Sequence, residues 1–506
     1  MGNDYEVIVI GAGFGGLSCA AACAKQGKKV LVLEKKNHTG GTSSVFYRKG
    51  FGFPMGALGF SYPGVVLDLL GKLGVSEKPT FSRNHFQLRS PDLDLVYSIP
   101  FPELRRQLER LFPLETGMKE VFAKLQSLMD LVRDIPSWHP LYSLEGSGRN
   151  TPSTEPSVQA GIEAVADSAK TPGDLFLNGH LSDPVLKNLL GSMGTRPPHM
   201  SLLNMAIMWH VMCEEGIWTP SCGIHGLADL IRDTAVKHGV EIRTRAEVDK
   251  IIIRDSRVAG VKTRSGETFP SDWVVSNADA KKTVLELIRK SVLPAPYWRG
   301  ISENPYTGSE LCVYLGVDPA KVDNRAMKAR HLFYQHKEAG ENMDPVDFER
   351  REVEICFWSG NNLNLVPPGK AAFVVRAGLP YDPFAPYRNG EKVRTEKYKA
   401  HKHSLTQSLI EIVETILPGL QSAVEVRESA TPLTYRDWGQ RTGGSIAGWG
   451  WGARSRPGTQ GKLLIKTPLE NLLLAGIYAS TELFLGGVPT ALYTGLLAAD
   501  HICEKK

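Results

Sequence analysis

Gly11, Gly13 and Gly16 stand in the pattern G-x-G-x-x-G within GAGFGG, and an acid, Glu34, follows about twenty residues on. Each residue type has a physical task. Gly11 permits a tight turn, Gly13 lets the backbone approach a pyrophosphate, and Gly16 lets a helix pack closely on a strand. A helix starting at Phe14 and Gly15 would offer free N–H groups and the positive end of its dipole to phosphates. Glu34 would accept hydrogen bonds from a ribose and would repel a 2′-phosphate, so the expected ligand is FAD or NAD rather than NADP. Glycines alone would fit a ligand-free turn equally well. The strand before, the helix after and the acid beyond favour a nucleotide.

These residues need a scaffold. YEVIVI reads as a buried strand, LSCAAACAKQG as an Ala-rich helix stopped at Gly27, and KKVLVLE as a second buried strand. Residues 100–135 read as two amphipathic helices broken at Pro113, and the Ser-, Thr- and Pro-rich stretch 144–172 as an exposed connection. Residues 200–213 are apolar on nearly every face and predict a buried helix. A helix with a glycine stop at 239 and short strands follow over 223–291. Residues 301–440 mix strands with the helix HSLTQSLIEIVETIL, and the last segment is strand, glycine turn, helix.

Composition bounds the rest. A chain of 506 residues suggests about two to four domains. Lys and Arg number 59 against 54 Asp and Glu, and this small excess argues against a nucleic-acid partner. Hydrophobic residues at 42% exclude wholesale disorder. Seven cysteines without a close C-x-x-C pair speak against a disulfide framework or a zinc site and for a reducing compartment, so no metal is expected. YEVIVI is too short for a signal peptide, and no apolar run reaches the length of a membrane span. A cytoplasmic location is expected, with peripheral membrane contact left open.

Further motifs follow the acid. Gly40 and Gly41 lead into TSSVFYRKGFGFPMGA. Here the chain resembles the flavin-dependent amine oxidase and phytoene desaturase superfamily. GIWTPSCGIHGLADLI (216–231) is similar to the entry into the second half of that family's flavin domain, and EIRTRAEVDKI (241–251) to its adenine-contacting strand, with Val248 contributing backbone. SNAD (276–279), GSIAGWGWG (444–452) and LLAGIYASTELFLGGVPTALYTGLLAA (473–499) resemble segments of the branch holding phytoene desaturases, carotenoid isomerases and retinol saturases. Three departures stand out: Thr42 where many relatives have Arg, Pro54 where they have Asp, and Ile477 where they have Asp.

The resemblance implies an α/β fold. A discontinuous Rossmann-like FAD domain of the glutathione reductase type (1–70, 216–300 and 440–506) would join an α+β substrate domain (71–215 and 301–439). It implies FAD held by Gly11, Gly13, Phe14, Gly15, Gly16, Glu34, Lys35, Gly41, Thr42, Val248, Asn277, Gly476, Gly487, Val488 and Pro489. The activity implied is desaturation, saturation or isomerisation of a carbon–carbon bond in an apolar, carotenoid- or isoprenoid-like substrate, by hydride transfer at flavin N5. A flavin amine oxidase and a non-catalytic prenyl-lipid carrier of the Rab escort type are the alternatives.

Such a substrate calls for an apolar slot. Met208, Trp209, Trp449 and Trp451 are candidates to line it, with core packing as the competing reading, and Glu482 is the candidate proton donor or acceptor. His210 with Cys213 reads as core rather than a metal site, and Cys19 with Cys23 as small packing residues. KYKAHKH (397–403) reads as a solvated helix start, with a membrane-facing patch as the minor alternative. The partner that recycles the flavin is not identified, since no second glycine fingerprint for NAD(P) occurs.

Overall fold

The computed structural model describes residues 4–138, 156–192, 198–288, 292–338, 344–361, 363–450, 464–480 and 486–504. Tyr5–Ile10 and Val30–Leu33 are apolar at nearly every position because both faces of their sheet are covered. They pair in parallel, and the sheet extends through Glu241–Arg243 on one side and through Thr268–Ser276 and Leu472–Leu474 on the other, all parallel. The antiparallel strands Val248–Arg254 and Arg257–Thr263 attach to the first half of Thr268–Ser276. Residues from the start, middle and end of the chain thus build one Rossmann-type sheet.

The first helix, Phe14–Lys25, is buried from Phe14 to Ala24. It lies between neighbours, so its face residues must be small: Cys19, Ala20, Ala21 and Cys23 are fully buried. The last helix, Gly487–Glu504, packs on it, and a Cβ on Gly495 would run into the Gly15 carbonyl.

A second seven-stranded sheet runs in the order Val424–Ala430, Glu310–Val317, Ala371–Gly378, Val353–Phe357, His331–Tyr334, Phe86–Arg89, Asp94–Val96. Strand alternation divides it. Leu311, Val313 and Leu315 pack beneath the helix Glu396–Ile416, while Cys312 and Tyr314 turn to the other face against Phe51 and Phe53. A third core is helical, built from Phe101–Leu111, Met118–Trp138, Pro184–Ser192 and Leu202–Trp209. The architecture is therefore α/β, with a Rossmann-like unit and an α+β unit.

The cores do not divide where the sequence places the boundaries. The hairpin Val45–Arg48/Phe51–Pro54 packs on the second sheet, although Phe60 to Leu73 return to the first core. Ile217–Pro220 pairs with Phe81–Asn84, joining two segments expected in different domains. Pro156–Lys170 is a helix and not a connection, because the Ser, Thr and Pro of that stretch concentrate before a Pro start and an Ala-rich run.

Candidate functional site

One cavity of about 350 Å³ runs from the glycine turn of the first sheet to the inner face of the second. Gly11 opens it with a φ of 93°, a backbone state that suits glycine. Gly13, Phe14 and Gly15 line its floor. A Cβ on Gly15 would strike the backbone of Gly476, and one on Gly16 the carbonyl of Gly11. Gly16 therefore serves packing and does not face the cavity. Asn277 Nδ2 donates to the Gly11 carbonyl at 3.4 Å, and its Oδ1 lies 2.8 Å from where a Gly15 Cβ would stand. Three distant segments close on this point.

Glu34 is 4% exposed, with both carboxylate oxygens tied down. Oε2 accepts from the Ala12 N–H at 2.8 Å and Oε1 from the Lys36 N–H at 2.9 Å. Gly41 stands against Gly13, a Cβ on it meeting the Gly13 Cα at 3.3 Å, so two glycine turns face one another. Cations gather at this end. Burial pushes the Lys35 ammonium down to about 7, helped by Lys282 and Lys36, and Lys35 Nζ donates to the Gly439 carbonyl at 3.3 Å. Thr42 accepts a hydrogen bond at Oγ1 from Arg441 Nη2 at 3.1 Å, so a guanidinium from the far end of the chain stands beside the threonine that replaces an arginine. Ala246, Glu247 and Val248 form the adjoining wall.

The other end is lined by Met55, Gly56 and Ala57, by Ile477, Tyr478, Gly487 and Val488, and by Glu310, Arg376 and Tyr435 from the second sheet and its neighbour. Pro489 is buried in the first turn of the last helix, outside the lining. The donor set fits an adenine dinucleotide: bare backbone between facing glycines, a fixed carboxylate, half-buried lysines and the buried Arg441. The cleft is open space rather than the protein's own side chains.

Other candidates lie elsewhere. Trp209 is fully buried in the helical core against Tyr97 and Phe101, its indole N–H donated to Leu190 at 2.8 Å, and Met208 packs in the same core. Neither lines the cavity, because an all-apolar helix between helices is consumed by packing. Trp449 stacks on Tyr306 at 4.8 Å and donates to the Tyr478 carbonyl at 3.0 Å, so it backs the wall through Tyr478. Trp451 and Glu482 lie outside the described residues. The basic run 397–403 opens the helix Glu396–Ile416 with Lys397, Lys399 and His403 exposed, while Tyr398 is buried, His401 stacks on Tyr387, and burial lowers the Lys402 ammonium.

Residues that sequence reasoning missed are Glu310, Arg376, Tyr435, Lys282 and Arg441. A signal existed for two of them. Glu310 and Arg376 are lone charges in the otherwise apolar strands ELCVYLGV and AAFVVRAG.

Residues 14–503 match the family of flavin containing amine oxidoreductases. The chain belongs to that family. FAD is therefore the dinucleotide its residues hold. Among similar proteins, the 4,4′-diapolycopene oxygenase of a Methylomonas species is 26% identical, covering 99% of this chain and 98% of its own. The all-trans-retinol 13,14-reductase of Danio rerio is 24% identical, covering 99% and 86%. An oxidoreductase from Methanosarcina mazei shares the fold, with a TM-score of 0.60 at 17% identity over 97% of this chain and 99% of its own. The oxygenase and the reductase both act, by their names, on a carotenoid or a retinoid.

Proposed function

We propose that this flavoenzyme desaturates, saturates or isomerises a carbon–carbon bond in an apolar isoprenoid. The observation that supports this most is the similarity, over 99% of the chain, to proteins named for acting on a diapolycopene and on retinol. Bound FAD supplies a two-electron hydride acceptor or donor. The protein's own task is to hold and shield. Glu34 and the facing glycines fix the nucleotide, while Ile477, Val488 and Ala491 keep one wall apolar. Tyr306, Trp449 and Tyr478 brace that wall as a packed aromatic group, which resists entry of water.

An apolar substrate would reach the site from a lipid surface. No helix among the described residues is long and apolar enough to cross a membrane. Leu111, Leu114 and Leu175 are nonetheless 52%, 92% and 65% exposed. The loop that holds Leu114 adjoins the one after the helix Gly173–Asn178 that carries Leu175, since Glu115 accepts from the N–H groups of Ser182 and Asp183, and Arg106 and Arg110 stand exposed on the helix Phe101–Leu111. Apolar tips with flanking cations suit peripheral contact with an anionic membrane. The flavin would be recycled by oxygen, a quinone or NAD(P)H.

Anaerobic titration of the oxidised holoprotein with polyenes and with simple amines tests the reading. Perturbation or bleaching of the flavin spectrum by polyenes alone is expected; rapid bleaching by an amine alone would make the protein an amine oxidase.

A further inference from the structure

The inner face of the second sheet carries charge into a site expected to hold a hydrocarbon. Glu354 stands directly opposite Arg376 in the antiparallel register. Glu310, 7% exposed, lies one strand away, and with Arg376 and Tyr435 it lines the cavity. Tyr435 Oη donates to Glu310 Oε1 at 2.6 Å. Arg376 donates to the Gly56 carbonyl, on the opposite wall. Its nitrogens otherwise stand 3.9 Å from a carboxylate oxygen of Glu310 and 3.9 Å from one of Glu354, within Coulomb range but beyond a hydrogen bond. Its Nε is buried and meets no hydrogen-bond partner.

A guanidinium carries five N–H donors, and each left unmade in a low-dielectric site costs about 1–3 kcal/mol. Leucine or valine at these positions would make a greasier and cheaper wall, so the charges call for a ligand that uses them. The charge balance narrows its chemistry. One guanidinium sits between two carboxylates, and His331 Nδ1 lies 3.0 Å from Glu354. No cation is in excess to neutralise a carboxylate ligand. A neutral oxygen can accept from Arg376, and a hydroxyl can also donate to Glu310.

We propose that Glu310, Arg376 and Tyr435 recognise a neutral oxygen function, a hydroxyl or carbonyl, on the isoprenoid substrate. This assignment rests on the isoprenoid reading given under the proposed function. Arg376 donates to the oxygen, Glu310 accepts from a hydroxyl, and Tyr435 holds the Glu310 carboxylate in place. The substrate is then an oxygenated isoprenoid anchored by its polar group while its chain lies along the apolar wall.

The test is a binding titration of the FAD-loaded protein, followed by the flavin spectrum. The probes are geranylgeraniol, the hydrocarbon in which hydrogen replaces its hydroxyl, and the corresponding carboxylic acid. The wild type should bind the alcohol roughly tenfold to a hundredfold more tightly than the hydrocarbon, and the acid no better than the alcohol. Arg376→Met should bring the alcohol-to-hydrocarbon ratio close to one, while Arg376→Lys and Glu310→Gln should keep part of it. Far-ultraviolet circular dichroism and thermal melting report the folding of each variant, and flavin absorbance its FAD content. Equal affinity for alcohol and hydrocarbon in the wild type overturns the assignment. So does an Arg376→Met protein that shifts the flavin potential but keeps the alcohol preference, since the cluster would then serve the flavin. Failure of all three probes to bind would overturn the isoprenoid reading itself, and the assignment with it.

Discussion

The Glu34 carboxylate accepts the backbone N–H of Ala12 at 2.8 Å, binding the end of the second strand to the middle of the glycine turn. The acid is thus held in place before any nucleotide arrives. Glu34→Ala should weaken FAD binding by roughly tenfold to a hundredfold, since a charge-assisted hydrogen bond and a fixed acceptor are both lost. Glu34→Gln, which keeps one acceptor oxygen, should fall between. Absorbance of the flavin relative to protein after purification, and titration of apoprotein with FAD, measure this.

Gly15 faces the backbone of Gly476 so closely that even a methyl group would displace it. Gly15→Ala should therefore lower stability by about 1–3 kcal/mol and release FAD, whereas Gly64→Ala, where an added Cβ meets nothing within 4 Å, should do neither. Thermal melting with and without added FAD separates the two effects.

His331 gives a pH signature. Burial alone would lower its imidazole, but the Cys356 sulfur and the Glu354 carboxylate outweigh this and lift it from 6.5 to about 9. A group raised in the folded state stabilises fully below its unfolded value, and that stability is lost as pH rises through the folded value. The wild type should lose melting temperature between pH 6.5 and about 9, and His331→Gln should show a lower but flatter profile over that window.

Leu114 is 92% exposed at the tip of the helical unit. Leu114→Glu should reduce co-sedimentation with anionic vesicles severalfold, because a buried leucine contributes about 1.5–3 kcal/mol and the glutamate is repelled by the lipid charge. FAD content should stay constant. Unchanged sedimentation would place any membrane contact elsewhere.

What was legible in the sequence was local. YEVIVI, the glycine turn, the small-residue helix and VLVL each carry their own periodicity, and Glu34 follows at the spacing the unit requires. The break near Pro113 between two helices was legible for the same reason. What escaped depends on contacts between segments distant in sequence. Arg441 reaches Thr42 across most of the chain, and Arg376 reaches Glu310 only because their strands are neighbours in the second sheet. Trp209 and Met208 show the complementary difficulty. A helix apolar on every face signals burial without saying in which core, and here it is the helical one around Tyr97 and Phe101.

The most direct measurement reduces the bound flavin anaerobically, mixes it with a conjugated isoprenoid, and follows flavin absorbance together with product mass. The account predicts a flavin-dependent product: two hydrogen atoms heavier with reoxidised flavin if the enzyme saturates, or of equal mass and altered double-bond geometry if it isomerises. A reduced flavin that leaves every polyene unchanged, with an oxidised flavin that is bleached by no polyene, would contradict it.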